Sequence, residues 1–157
     1  MDRTHLKTPL GILEICGTSA GIRSVSFTEL SEAEIEDTPE SLQECRKQLF
    51  DYFQGTLKEF SLQLDPQGTP FQKRVWTRLQ DIDYGETSTY AEQTKTLGDP
   101  KAIRAVAGAN GRNPIAIIIP CHRVIGSNGK LTGYAGGLWR KKWLLEHENP
   151  PAQKSLF

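Results

Sequence analysis

Apolar and polar positions between residues 8 and 27 alternate in a way that predicts paired strands. Thr8-Pro9-Leu10-Gly11 reads as a turn, Ile12, Leu13 and Ile15 follow it, and Ala20-Gly21 separates them from Ile22, Val25 and Phe27. The period then changes. Leu42, Cys45, Leu49 and Phe53 recur at helical spacing, with Thr38 as the expected N-cap, Pro39 in the first turn and Gly55 as the stop. Residues 57–64 read as a further strand, and Pro66-Gln67-Gly68 as a turn that closes a first lobe over residues 1–66. A second helix opens at Thr69-Pro70, puts Phe71, Val75, Trp76 and Leu79 on one face, and ends before Tyr84-Gly85.

The segment that follows is more sharply punctuated. Thr89 and Glu92 have the spacing of a capping box, which predicts a short helix over 91–97 stopped by Gly98. Asp99-Pro100 starts another, through Ile103, Val106 and Ala107 to about Asn110, ended by Gly111 and Asn113-Pro114. Two short helices joined by a Gly-containing turn read as a helix-turn-helix. Small residues on the second of them (Ala102, Ala105, Ala107, Gly108, Ala109) allow close approach to something rigid, a DNA groove or another helix. Residues 115–119 read as a buried extended run leading into Pro120-Cys121-His122-Arg123-Val124. Gly126-Ser127-Asn128-Gly129 is a turn, and Gly133-Tyr134-Ala135-Gly136-Gly137 a loop with wide backbone freedom. A last helix runs from about Leu138 to His147. The second lobe therefore covers 67–150, and 151–157 reads as a loose tail.

Composition narrows the function classes. The 157 residues are 37% apolar and 24% charged, an ordinary soluble balance. No run approaches the ~20 apolar residues of a membrane helix. The start carries no apolar core of a secretory signal, and three cysteines make no disulfide framework, so a cytoplasmic protein is expected, with no membrane partner. A net charge of zero hides an asymmetry. Residues 28–44 hold seven acids and no base, while 101–142 hold eight bases and no acid. Such a split points either to an anionic partner on one half or to two solvated faces.

Cys45 lies on the apolar stripe of its helix and Cys16 in the hairpin; both read as packing residues. Cys121 is different. It follows an apolar run, neighbours His122 and Arg123, and lies in the basic half, where positive charge favours a thiolate. A histidine can take the thiol proton, directly or through a water, if an acid such as Glu148 orients it. Neighbours in an extended chain face opposite ways, so this requires a backbone turn or a bridging water. From the residues alone Cys121 is an inert buried thiol, a metal ligand lacking partners at zinc spacing, or a nucleophile of unassigned class.

Taken in order, these motifs resemble the O6-alkylguanine-DNA alkyltransferases. Pro120-Cys121-His122-Arg123-Val124 matches that family's acceptor motif. Arg104-Ala105-Val106 and Asn113-Pro114 stand at its distances before, and Gly133-Tyr134-Ala135-Gly136-Gly137, Trp143-Leu144-Leu145 and His147-Glu148 at its distances after. The match is strong over residues 69–148 and weaker in the first lobe. The resemblance implies an α+β fold: a ribonuclease H-like lobe of antiparallel sheet and helix, then a helical lobe with a winged-helix-like helix-turn-helix. It implies direct-reversal repair of double-stranded DNA by a single-turnover methyltransferase, with O6-alkylguanine as substrate and O4-alkylthymine as a second candidate. A protein of the alkyltransferase-like type, which flags damage without repairing it, is the alternative; it would lack the acceptor cysteine.

The resemblance also assigns roles. The helix-turn-helix, through Ala105, Ala107 and Gly108, would dock in the minor groove. Arg104 would fill the place of a flipped nucleotide, and Tyr90 would help rotate it out. Cys121 would attack the alkyl carbon, His122 would take its proton with Glu148 behind it, and Asn113 would tie the motif to the pocket. Tyr134 would wall the base, while Cys121 and Val124 carbonyls and the Ala135 N–H would read its edge. Arg123 is grouped with the DNA and substrate contacts. No cofactor and no metal are implied, and the protein would act as a monomer. Trp76, Trp139 and Trp143 read as packing residues, and His5 and His147 as surface ones.

Overall fold

The computed structural model describes residues 1–29 and 37–150. The tail assigned to 151–157, and most of the acidic loop, lie outside them. The chain forms two compact units. One comprises Met1–Gln67 with Pro114–Ile118; the other comprises Gly68–Asn113 and the chain from Ile119 on.

In the first unit three antiparallel strands, β1 (Asp2–Thr8), β2 (Gly11–Thr18) and β3 (Gly21–Phe27), lie in sequence order. The expected hairpin is β2–β3; β1 is an addition, because its polar residues Arg3, His5 and Lys7 mask the alternation. Leu6, Leu13, Ile15 and Val25 are buried, as are Leu42, Cys45, Leu49 and Tyr52 of α1 (Glu40–Gln54), which packs on the sheet. Each such side chain contributes roughly 1.5–3 kcal/mol of burial. A bulge between Cys16 and Gly17 shifts the β2–β3 register. A side chain at Gly17 would meet the Gly21 carbonyl at 2.8 Å.

Three expectations here are corrected. Thr38 does not cap α1: its hydroxyl shares a hydrogen bond with Thr4 Oγ1 at 3.1 Å, and Pro39 holds the cap position. Residues 57–64 form no strand. Ser61 is drawn to Gln48 of α1 (N–H to Oε1, 3.0 Å), and only Leu64 bridges to Ile22. The isoleucines of residues 115–119 are buried, but the run is turned. Ile117 takes φ 73°, the only non-glycine among the described residues on that side of the map. For a β-branched residue this is a strained conformation, costing on the order of 1–3 kcal/mol. The Ile118 N–H closes the turn on the Ala116 carbonyl at 2.8 Å.

In the second unit α2 (Pro70–Leu79) starts with a complete capping box between Thr69 and Gln72. It buries Val75, Trp76 and Leu79, and the Trp76 indole N–H donates to the Ala109 carbonyl at 2.9 Å. The helix-turn-helix is α3 (Tyr90–Thr96) and α4 (Ile103–Gly111), with a 3-10 turn at Pro100–Ala102 between them. The box at Thr89 is half formed. Thr89 Oγ1 accepts from Glu92 N–H, while the Glu92 carboxylate accepts from Ser88 Oγ. Gln93 and Asn110, both buried, join α3 to α4 by two reciprocal amide bonds of 2.9 and 2.8 Å. Short strands β4 (Ser88–Thr89) and β5 (Val124–Ile125) pair in parallel, and α5 (Leu138–Glu148) is the last element of the described chain.

Candidate active site

The backbone turn that Cys121 and His122 require is present. After Pro120 the chain makes a 3-10 turn, Cys121–Arg123, with the Cys121 N–H on the Ile119 carbonyl at 2.8 Å and the Arg123 N–H on Pro120 at 3.0 Å. β5 follows immediately and anchors the turn to β4.

His122 is fully buried, and its Nε2 lies 2.7 Å from Glu148 Oε2. Arg123 binds the same carboxylate from the other side, through Nε at 2.7 Å and Nη2 at 3.1 Å, and donates Nη1 to the Ile82 carbonyl at 2.7 Å. One carboxylate thus serves two buried groups. Burial pushes Glu148 up, but hydrogen bonds from His122 and Arg123 and the Arg123 charge outweigh it and hold the carboxyl at about 2. Burial pushes His122 down more than Glu148 pulls it up, so the ring is neutral. A neutral ring facing a carboxylate carries its proton on Nε2. Its Nδ1 is buried without a hydrogen-bond partner; on the neutral ring it carries a lone pair able to accept a proton.

Burial also pushes the Cys121 thiol up, although an Asn113 hydrogen bond and the Lys141 charge pull the other way. At rest the sulfur holds its proton. Asn113 also donates Nδ2 to the Ile119 carbonyl at 2.7 Å, bracing the segment before the turn. Cys45 offers the contrast: burial alone sends it to about 12, with no neighbour to activate it.

Cys121 lies at a cavity of about 470 Å³. Tyr90, Arg104, Ala107, Tyr134 and Ala135 line it with Cys121, so six of the expected residues come together. Tyr90 Oη donates to the Thr132 carbonyl at 3.2 Å. The Tyr134 hydroxyl is buried and unpartnered. Ala105 and Gly108 are exposed on α4, with open space where a Gly108 side chain would be.

Other expected residues act from elsewhere or not as expected. Arg123 is not a surface contact: its guanidinium is engaged by Glu148 and Ile82, because a buried carboxylate needs a buried cation. Val124 does not line the cavity, and its carbonyl accepts from Lys141 Nζ at 2.7 Å. His5 pairs with Glu14 at 3.2 Å, and His147 stacks on Trp143 at 4.8 Å, so neither is a plain surface residue. Trp139 is exposed rather than packed.

Sequence reasoning passed over Lys141. It is fully buried, and its ammonium donates to the carbonyls of Val124, Thr132 and Gly133 at 2.7, 2.8 and 3.3 Å. It links β5, just after the Cys121 turn, to the loop that bears Tyr134. Burial lowers its affinity for the proton, and a thiolate at Cys121 raises it. The signal was available: Lys141, Leu144 and Glu148 share one helical stripe, and all three are buried.

Two family models match the chain. Residues 1–66 match the ribonuclease-like domain of 6-O-methylguanine DNA methyltransferase, and residues 70–150 its DNA binding domain. A methylated-DNA–protein-cysteine methyltransferase of Methanosarcina acetivorans is 50% identical over 147 residues, 90% of this chain and 94% of the relative. The crystal structure of Mycobacterium tuberculosis O6-methylguanine methyltransferase superposes with a TM-score of 0.84 at 44% identity, covering 99% of this chain and 98% of that one. The same organism's protein in complex with DNA superposes at 0.82 with 46% identity, covering 92% and 90%.

Proposed function

The chain belongs to the 6-O-methylguanine DNA methyltransferase family over both its units, and from that premise we propose that Cys121 is the acceptor of a single-turnover transfer of the alkyl group from O6-alkylguanine in duplex DNA. The observation that carries this reading is the buried His122, with its proton held toward Glu148 and its Nδ1 unpartnered, next in the chain to a cysteine on an open cavity.

The reaction follows from those states. The nucleotide leaves the duplex, at a cost of a few kcal/mol that is smaller for a mispaired base, and enters the cavity. Arg104, exposed at the start of α4, takes its place in the stack; Tyr90 turns from Thr132 toward the entering base. Tyr134 walls the base, and the Ala135 N–H reads its edge. Because the thiol begins protonated, attack needs a base. His122 Nδ1 takes the proton through a bridging water, and Glu148 stabilises the imidazolium that forms. Sulfur then displaces guanine from the alkyl carbon in line. The C–O6 bond breaks, the S–C bond forms, and the proton passes to the departing guanine. A thioether does not revert to a thiol, so one molecule repairs one lesion. The protein acts as a monomer, inside the cell, on chromosomal DNA.

Intact mass after mixing with a duplex carrying one O6-methylguanine tests this. The expected result is one added methylene, mapped to Cys121 and saturating at one per molecule. Cys121→Ala should bind the duplex and gain nothing. Transfer by that variant would refute the acceptor assignment, and unchanged mass with tight binding in the unmodified protein would replace repair by damage recognition.

A further inference from the structure

Two large apolar side chains stand exposed where α5 begins, Leu138 at 48% and Trp139 at 58%. The repair steps above use neither. Trp139 is paired with a charge: Arg140 Cζ lies 4.7 Å from the centroid of its ring. The same guanidinium donates Nη1 to the Gly136 carbonyl at 3.0 Å, which fixes it to the loop that lines the cavity. Its charge also acts on the phenol of Tyr134, one of the lining residues. The pair is therefore continuous with the cavity wall. No acidic residue occurs between Lys101 and Lys142, so the surroundings along the chain favour a polyanion. Two side chains are too little for a stable protein interface, which takes roughly 800 Å² per partner. They are enough for one nucleotide.

We propose that Trp139 and Arg140 form a platform beside the cavity mouth that receives the DNA backbone next to the extruded nucleotide, the indole packing on a deoxyribose and the guanidinium pairing with its phosphate. The proposal rests on the repair reading and adds to it a contact that orients the strand.

Fluorescence quenching by acrylamide reads the platform directly. Trp76 is buried and Trp143 is stacked on His147, so Trp139 is the indole most open to the quencher. In a Cys121→Ala background, saturating O6-methylguanine duplex should shield it, and Trp139→Phe should abolish that DNA-dependent change. In the active protein, Trp139→Ala should slow transfer from duplex several-fold and leave transfer from free O6-benzylguanine unchanged. Arg140→Gln should lower the salt slope of binding by about 1. Full quenching of Trp139 in the saturated complex would overturn the platform alone, as would equal losses on duplex and free base. Absence of both binding and transfer in the unmodified protein would overturn the repair reading, and the platform with it.

Discussion

Replacing Glu148 by Gln isolates the charge at the centre of the site. The side chain keeps its size and loses the carboxylate that His122 and Arg123 share at 2.7 Å each. The depression of that carboxyl from 4.5 to about 2 is worth about 3 kcal/mol at roughly 1.36 kcal/mol per pH unit, and loss of one partner of a buried pair costs a similar ~3–5 kcal/mol. Glu148→Gln should therefore lower the unfolding free energy by about 3 kcal/mol. The kinetic effect is separate. A carboxylate obliges His122 to keep its proton on Nε2, whereas an amide can donate to that nitrogen and move the proton to Nδ1. Nδ1 then has no lone pair to take the thiol proton, and transfer should fall by about 10³- to 10⁴-fold at neutral pH. Rapid-quench transfer from an O6-methylguanine duplex, with binding and thermal unfolding measured on the same sample, separates the two effects. The deficit should shrink as pH rises above 9.0, the ordinary thiol value that burial raises in Cys121, because a thiolate needs no base. Transfer within about threefold of the unmodified protein at neutral pH, with binding intact, would refute the role given to the pair.

Acidification should act on the same groups. The Glu148 contribution is complete above about 4.5 and is lost as pH falls through about 2, since the folded carboxyl binds its proton later than the unfolded one. Protonating the buried His122, whose folded value lies below 6.5, should begin the loss of stability earlier; chemical denaturation at stepped pH should show a decline that starts below 6.5 and steepens below 4.5. Lys141→Met leaves three carbonyls without their donor; it should cost about 2–4 kcal/mol, slow transfer at least about tenfold, and move the Cys121 thiol titration upward. Gln93→Leu or Asn110→Met alone should each cost about 1–3 kcal/mol by stranding a buried amide, and the double variant should recover most of it; additive losses in urea melts would show that the reciprocal pair is not a unit.

Local chemistry was legible in the chain. The helical stripe of Leu42, Cys45 and Leu49, the stop at Gly55, the helix start at Thr69-Pro70, and the two helices around Gly98 all depend on residues within a few positions of one another. The order of the acceptor motif, Asn113, Tyr134 and Glu148 carried the family resemblance, and that resemblance assigned a nucleophile, a base and its partner. Long-range competition was not legible. Whether Thr38 caps a helix or meets Thr4, and whether Ser61 joins a strand or meets Gln48, depends on what the fold brings alongside. Residues 115–119 have the composition of a strand, yet the strain at Ile117 is tolerated because the buried surroundings over-determine the turn. Charge was the hardest to place. Arg123, Arg140, Lys141 and Lys142 read alike in the sequence, as one basic face. Burial sorts them: Arg123 onto a carboxylate, Lys141 into a cage of carbonyls, Arg140 onto an exposed indole. A cation's role depends on the dielectric and the partners around it, and only the tertiary structure supplies those.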